Sequence, residues 1–169
     1  MTLAELNALD RPALADALSK CCGATNWVRQ MADRFPVADA DTLFRYAHDV
    51  WYGLTEADWR EAFTHHPKIG DVNALREKFA STAQWAEGEQ GAVRHAHQDV
   101  LEALAEGNER YEQKFGYIFI VCATGKSAGE MLALLQARLP NPPDEEIRIA
   151  MGEQDKITRI RLEKLLSQT

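Results

Sequence analysis

YIFIVCATG, residues Tyr117 to Gly125, decides the fold. By composition it is a strand: β-branched and aromatic side chains in a short run flanked by glycines. No second strand candidate exists to pair with it, and a solitary strand leaves its backbone N–H and C=O groups unpaired. The stretch is therefore expected as a buried extended or irregular segment, whose backbone groups could bind a ligand rich in amides. A core helix of β-branched residues fits the same composition. On either reading no sheet forms, and the fold class is all-α.

Helical signals surround this segment. Downstream, Ser127 and Glu130 in SAGE form a capping box ahead of MLALLQARL, which PNPP stops. Asp144 is placed to cap the last helix, which runs to about Leu166. Upstream, Ala92 to Phe115 reads as one long helix, with Val100, Leu101, Leu104 and Tyr111 inward and Gly116 closing it. His97 falls on the same face and reads as a core histidine. Val72, Leu75 and Phe79 mark a short helix. Thr55 starts TEADWREAF with Asp58 three residues on, a near match to a capping box, and Trp59 and Phe63 form its inward stripe. Asp41 can cap the helix carrying Leu43, Phe44, Ala47, Val50 and Trp51, which Gly53 ends. Trp27, Met31 and Phe35 keep a four-residue step until Pro36, and Leu14, Leu18 and Cys21 form a further stripe. The result is a single compact domain over residues 1–169, of about eight helices, with one irregular buried apolar segment.

Composition narrows the function. At 46% hydrophobic and 27% charged the 169 residues are ordinary for a soluble globular protein, and no apolar run could span a bilayer. The ends carry no secretory, peroxisomal or lipidation signal, which makes a cytoplasmic location the expectation. A net charge of −7 argues against a nucleic-acid binder, though a locally positive pocket for a small anion remains open. Cys21 and Cys22 are adjacent and Cys122 sits in the apolar run, so buried free thiols are expected rather than a disulfide framework. No His/Cys group has zinc-ligand spacing, and no metal is expected.

Three groups of polar residues fit no simple core. In HHPKIGD, residues His65 to Asp71, Pro67 disfavours helix at His66, so an imidazole titrating near neutrality is held at a helix end. The alternative is a surface histidine in a helix–helix connection. In the last helix Arg161 projects roughly 40° from Ile147 and Leu165, inside a stripe of Ile147, Ala150, Met151, Ile157 and Leu165. An inward guanidinium requires a partner, either a carboxylate of the protein or one on a ligand. Gln154 projects to the same face, and Arg159 toward the flank. In WAEGEQGA, residues Trp85 to Ala92, Glu89 and Gln90 could hold a proton and read an amide edge, or simply complement a helix N-terminus. The charges of NERYEQK and EEIRIAMGEQDK are expected on solvated helix faces.

Taken together these pieces resemble the 2-oxo-4-hydroxy-4-carboxy-5-ureidoimidazoline (OHCU) decarboxylases, which complete the route from urate to (S)-allantoin. HPKIGD from His66, EQ at Glu89 and Gln90, KFGYIFIVCATGK from Lys114 and ITRIRLEKL from Ile157 occur in the family's order over nearly the whole chain. The resemblance implies a cofactor-free, all-α carboxy-lyase, acting on a small ureidoimidazoline as a homodimer, with no nucleic-acid or membrane partner. It implies proton transfer by His66 assisted by Glu89. Substrate binding would fall to Pro67, Gln90, Phe119, Ile120, Val121, Cys122, Ala123 and Arg161. Ala86 stands where the family commonly has a serine, and Lys68 where arginine is frequent. The substitution at Ala86 keeps a second class open, a helical small-molecule-binding module with impaired turnover.

Overall fold

The computed structural model of the protein describes residues 1–67 and 90–167, and in the second stretch side chains from 98 onward. Among the described residues there are eight helices and no strand. These are α1 (Leu3–Ala8), α2 (Arg11–Ser19), α3 (Thr25–Asp33), α4 (Ala40–Tyr52), α5 (Glu56–Phe63), α6 (Gln90–Phe115), α7 (Ala128–Arg138) and α8 (Pro143–Ser167). None is long and apolar enough to cross a membrane. The all-α expectation holds. The short helix expected around Val72 lies outside the described residues.

By its internal contacts the chain forms two compact units, Met1–His66 with Ile147–Thr169, and Pro67–Glu146. In the first, local chemistry sets most helix starts. Thr2 and Asp10 accept from backbone N–H groups of Glu5 and Ala13, and Thr55 with Asp58 forms the expected capping box. The cap of α4 is Asp39, not Asp41: the Asp39 carboxylate takes the Thr42 N–H at 2.7 Å, leaving Asp41 exposed in the first turn. Both are acids just before an apolar run, and only the backbone turn distinguishes them. Three indoles lock this unit by donating to carbonyls: Trp27 to Ala47 at 3.2 Å, Trp51 to Met151 at 2.8 Å and Trp59 to Trp51 at 3.0 Å.

The last helix departs from expectation in two ways. It begins at Pro143, where a missing N–H costs nothing, so Asp144 sits in the first turn rather than at the cap. Its buried stripe is Ile147, Ala150, Met151, Gln154, Thr158 and Leu162. Ile157 lies at the stripe's edge and Leu165 near the helix end, and both are half-buried.

In the second unit, α6 closes at Gly116, whose φ of 83° is left-handed and whose N–H bonds Glu112 O at 2.8 Å. Gly107 on α6 leaves room for Leu135 of α7: a Cβ there would stand 2.6 Å from Leu135 Cδ2. Ser127 caps α7 by accepting the Glu130 N–H. Between Gly116 and Ser127 the chain is irregular, with Phe119, Ile120 and Cys122 buried. That settles the helix alternative against it. Cys21, Cys22 and Cys122 are free and buried.

Candidate functional site

The first unit builds its polar centre on the elbow after α5. His65 N–H bonds Ala62 O at 3.1 Å and His66 N–H bonds Phe63 O at 3.2 Å, closing the helix in a last tight turn. Pro67 has no N–H to continue it. Gly23 lies against this elbow, so closely that a Cβ there would meet the His65 ring at 2.4 Å. The half-buried His66 ring points Nε2 at Gln154 Oε1 on α8, in a hydrogen bond. Gln154 is 1% exposed and donates from Nε2 to Thr158 Oγ1 at 3.0 Å. Thr158, also buried, hydrogen-bonds in turn to the Cys22 thiol.

Burial is the largest influence on His66 and pushes its pKa below the usual histidine range. The Gln154 hydrogen bond opposes this, while the positive charge of Arg161, then His65, adds to it. The same guanidinium acts on Cys21 and Cys22, whose thiols burial raises to about 11 and about 12. These cysteines are protonated near neutrality and are not nucleophiles. Arg161 is thus placed among His66, Cys21 and Cys22. Half-buried, it makes no hydrogen bond or ion pair with another described residue. Arg159, by contrast, is an exposed residue paired to Glu163 at 3.0 Å, with its guanidinium 4.6 Å from the Phe44 ring centroid. Of the two ways to satisfy Arg161, a described carboxylate of the protein is excluded.

The second unit holds the apolar run in place from behind. Arg138, 7% exposed, donates from Nη1 to Ile120 O at 2.7 Å. It also bonds Glu146 Oε2 through Nε at 2.9 Å and Nη2 at 2.6 Å. Its guanidinium carbon lies 4.5 Å from the Phe119 ring centroid. Tyr111 OH donates to the same Glu146 oxygen, and Lys126 Nζ donates to Cys122 O at 2.8 Å. Val121 and Ala123 are half-buried between these anchors. Glu146 corrects the expectation of a solvated face: it is 0% exposed, neutralised by Arg138.

Of the candidate residues, His66 and Arg161 come together in one unit with Gln154. Pro67 is exposed, and Phe119 to Ala123 form the buttressed segment of the other unit. Gln90 is the first residue of α6, its side chain among those not described, and Glu89 and Ala86 lie outside the described residues. Thr158 and Cys22 were missed as site neighbours, although Thr158 follows Gln154 by one turn on the same face. Among the described residues no group of three His, Cys, Asp or Glu side chains could hold a metal ion.

The family model for OHCU decarboxylase matches residues 7–163. The uric acid degradation bifunctional protein TTL of Arabidopsis thaliana is 37% identical over 155 residues, 90% of this chain and 47% of that protein. The chain thus spans about half the length of that plant relative. The 2-oxo-4-hydroxy-4-carboxy-5-ureidoimidazoline decarboxylase of Haloferax volcanii is 23% identical over 99% of this chain and 97% of its own. A crystal structure of OHCU decarboxylase in the presence of (S)-allantoin superposes with a TM-score of 0.73 at 35% identity, covering 90% of this chain and 99% of that one. With the histidine elbow, the apolar segment and the helix-borne arginine all lying within residues 7–163, the chain belongs to the OHCU decarboxylase family.

Proposed function

We propose that the protein decarboxylates 2-oxo-4-hydroxy-4-carboxy-5-ureidoimidazoline to (S)-allantoin in urate degradation, without a cofactor, as a cytoplasmic homodimer formed of single-domain chains. The family match over residues 7–163 supports both the activity and the single domain. Support for the site comes from the placement of His66 beside Arg161, a neutral imidazole next to a cation that no described carboxylate neutralises.

In the reaction the bond from the ring carbon to its carboxylate breaks, and carbon dioxide leaves without its bonding pair. The pair is delocalised into the ring and then quenched by one proton on one face. Arg161 would anchor an anionic or carbonyl edge of the substrate through its planar fork of donors. His66, with Glu89, would take the hydroxyl proton and deliver the final one. Pro67, Gln90 and the segment from Phe119 through Ile120, Val121 and Cys122 to Ala123 would line and hold the ureido and ring amides. Holding the reacting carbon against a fixed imidazole gives both rate and one product hand.

The test is circular dichroism of freshly generated substrate mixed with the protein, where an enzyme speeds formation of a single allantoin enantiomer. His66→Ala is expected to lose about two to four powers of ten in rate. Near-normal allantoin production by that variant would sink the assignment of His66. Substrate binding without any acceleration by the intact protein would favour the impaired binding module instead.

A further inference from the structure

A neutral imidazole carries its single proton on one ring nitrogen and a lone pair on the other, so its tautomer decides which nitrogen can act as a base. At His66 the deciding contact is with Gln154. Nε2 meets the amide oxygen Oε1, which only accepts, so the bond requires the proton on Nε2. The amide is itself held. Gln154 Nε2 donates to Thr158 Oγ1 at 3.0 Å, and the Thr158 hydroxyl hydrogen-bonds the Cys22 thiol, which also bonds the Ala24 backbone. With Gln154 at 1% and Thr158 at 3% exposure, bulk water offers no substitute partner for either group.

We propose that Gln154, locked by Thr158, is the positioning residue for His66, keeping the imidazole as its Nε2–H tautomer so that Nδ1 presents the lone pair to the substrate. The inference deepens the decarboxylase reading and rests on it for the identity of the proton that moves. The tautomer itself does not depend on it. In the cycle, Nδ1 takes the substrate's proton with its lone pair, and the imidazolium keeps its Nε2–H on Gln154. After the carbon–carboxylate bond has broken and carbon dioxide has left, Nδ1–H returns its proton to the neighbouring ureido-bearing ring carbon. The hydroxyl-bearing carbon becomes a carbonyl, the substrate nitrogen that took the electron pair draws a proton from water, and the imidazole is neutral again. Among the described residues Arg161, and after it His65, are the other groups acting electrostatically on the ring, and both disfavour imidazolium as the resting state. A chain running the other way, from the Cys22 thiol through Thr158 to Gln154 Oε1, would turn the amide N–H onto His66 Nε2. That ring would carry its proton on Nδ1 and offer the substrate no base.

The experiment is long-range proton–nitrogen correlation on histidine-labelled protein without substrate, with the His66 signals identified by their loss in His66→Gln. The expected result is a protonated Nε2 and a lone-pair Nδ1 at neutral pH. Gln154→Leu should give a mixture of tautomers and lower kcat by about ten- to a hundredfold, the scale for second partners that orient a histidine, with KM little changed. Thr158→Val, which frees the amide to turn, should move the same signals more weakly. Gln154→Glu keeps an acceptor on Nε2, so the tautomer should persist while the acid limb of kcat/KM moves to higher pH. A proton on Nδ1 in the wild-type protein overturns the proposal, as does a tautomer unmoved in both Gln154→Leu and Thr158→Val. Full activity in His66→Gln alongside the expected signals would instead overturn the place of His66 in the reaction and leave the tautomer standing.

Discussion

Arg138→Met removes a charge from the back of the apolar segment while keeping much of the side chain's length. Arg138 and Glu146 form a pair with side chains 8% and 0% exposed, so neither ion has bulk water to fall back on. Without the guanidinium, Glu146 keeps Tyr111 OH and the Asn141 amide at 3.1 Å as donors but loses its countercharge. Ile120 O loses its partner at 2.7 Å. Breaking one side of a buried pair costs about 3 to 5 kcal/mol. For a chain of 169 residues each kcal/mol shifts the melting temperature by about 2 to 4 °C, so the variant should melt about 6 to 20 °C lower. Urea unfolding followed by far-ultraviolet circular dichroism measures the loss directly. Replacing both ions, in Arg138→Met with Glu146→Met, should recover about half of it or more, because the remaining penalty is an uncompensated buried charge rather than a lost attraction. The single variant should also raise KM, since the carbonyl it frees belongs to the segment from Phe119 to Ala123. A single variant within about 1 kcal/mol of wild type, or a double variant no better than the single, would refute the reasoning.

Further outcomes follow from the first unit. Because burial, with Arg161 and His65 beyond it, holds His66 below the ordinary 6.5, kcat/KM should rise with pH through a midpoint under that value. Arg161→Met should move the midpoint up and raise KM; an unmoved midpoint counts against the electrostatic influence of Arg161 on His66. Stability carries the same sign. Between the folded pKa and 6.5 the unfolded chain binds more protons, so the stability contributed is complete above 6.5 and is lost as pH falls through that window, which denaturant titrations at several pH values will follow. Gly23→Ala puts a methyl 2.4 Å from the His65 ring and 2.8 Å from His65 Cβ, which ring rotation cannot relieve. It should cost about 1 to 3 kcal/mol and shift the His66 nuclear resonance signals, and wild-type stability would contradict the close approach. Asp39→Ala should lower the melting temperature measurably and Asp41→Ala hardly at all, since only Asp39 holds the Thr42 N–H.

The helices from α2 to α8, the irregular segment and the histidine elbow were legible because each is written in neighbouring residues: a cap and its N3 partner, a proline after a histidine, an apolar run with nothing to pair with. Where two residues satisfied the same local rule, as Asp39 and Asp41 do, the backbone turn alone separated them. Arg161 was legible for a different reason. A helical projection asks only which residues share a face, and Arg161 shares it with Gln154, Thr158 and the buried aliphatics of α8. The charge pattern misled at Glu146. That residue lies about 100° from Ile147 and about 40° from Ala150, at the margin of the helix's own apolar stripe, where a carboxylate in a charged run reads as solvated. It is buried because Arg138 of α7 and Tyr111 of α6 converge on it. No periodicity within α8 encodes that convergence, since the cause of burial sits on other elements. A charge inside its own stripe announces a pocket; a charge outside it can still be buried by its partners, and only the packing of α6, α7 and the start of α8 tells which. The choice of His66 and Arg161 as candidates therefore rests on signals within single elements, and their roles on the family resemblance. The support of the apolar segment rests on a three-element network whose members, taken singly, look like ordinary surface charges.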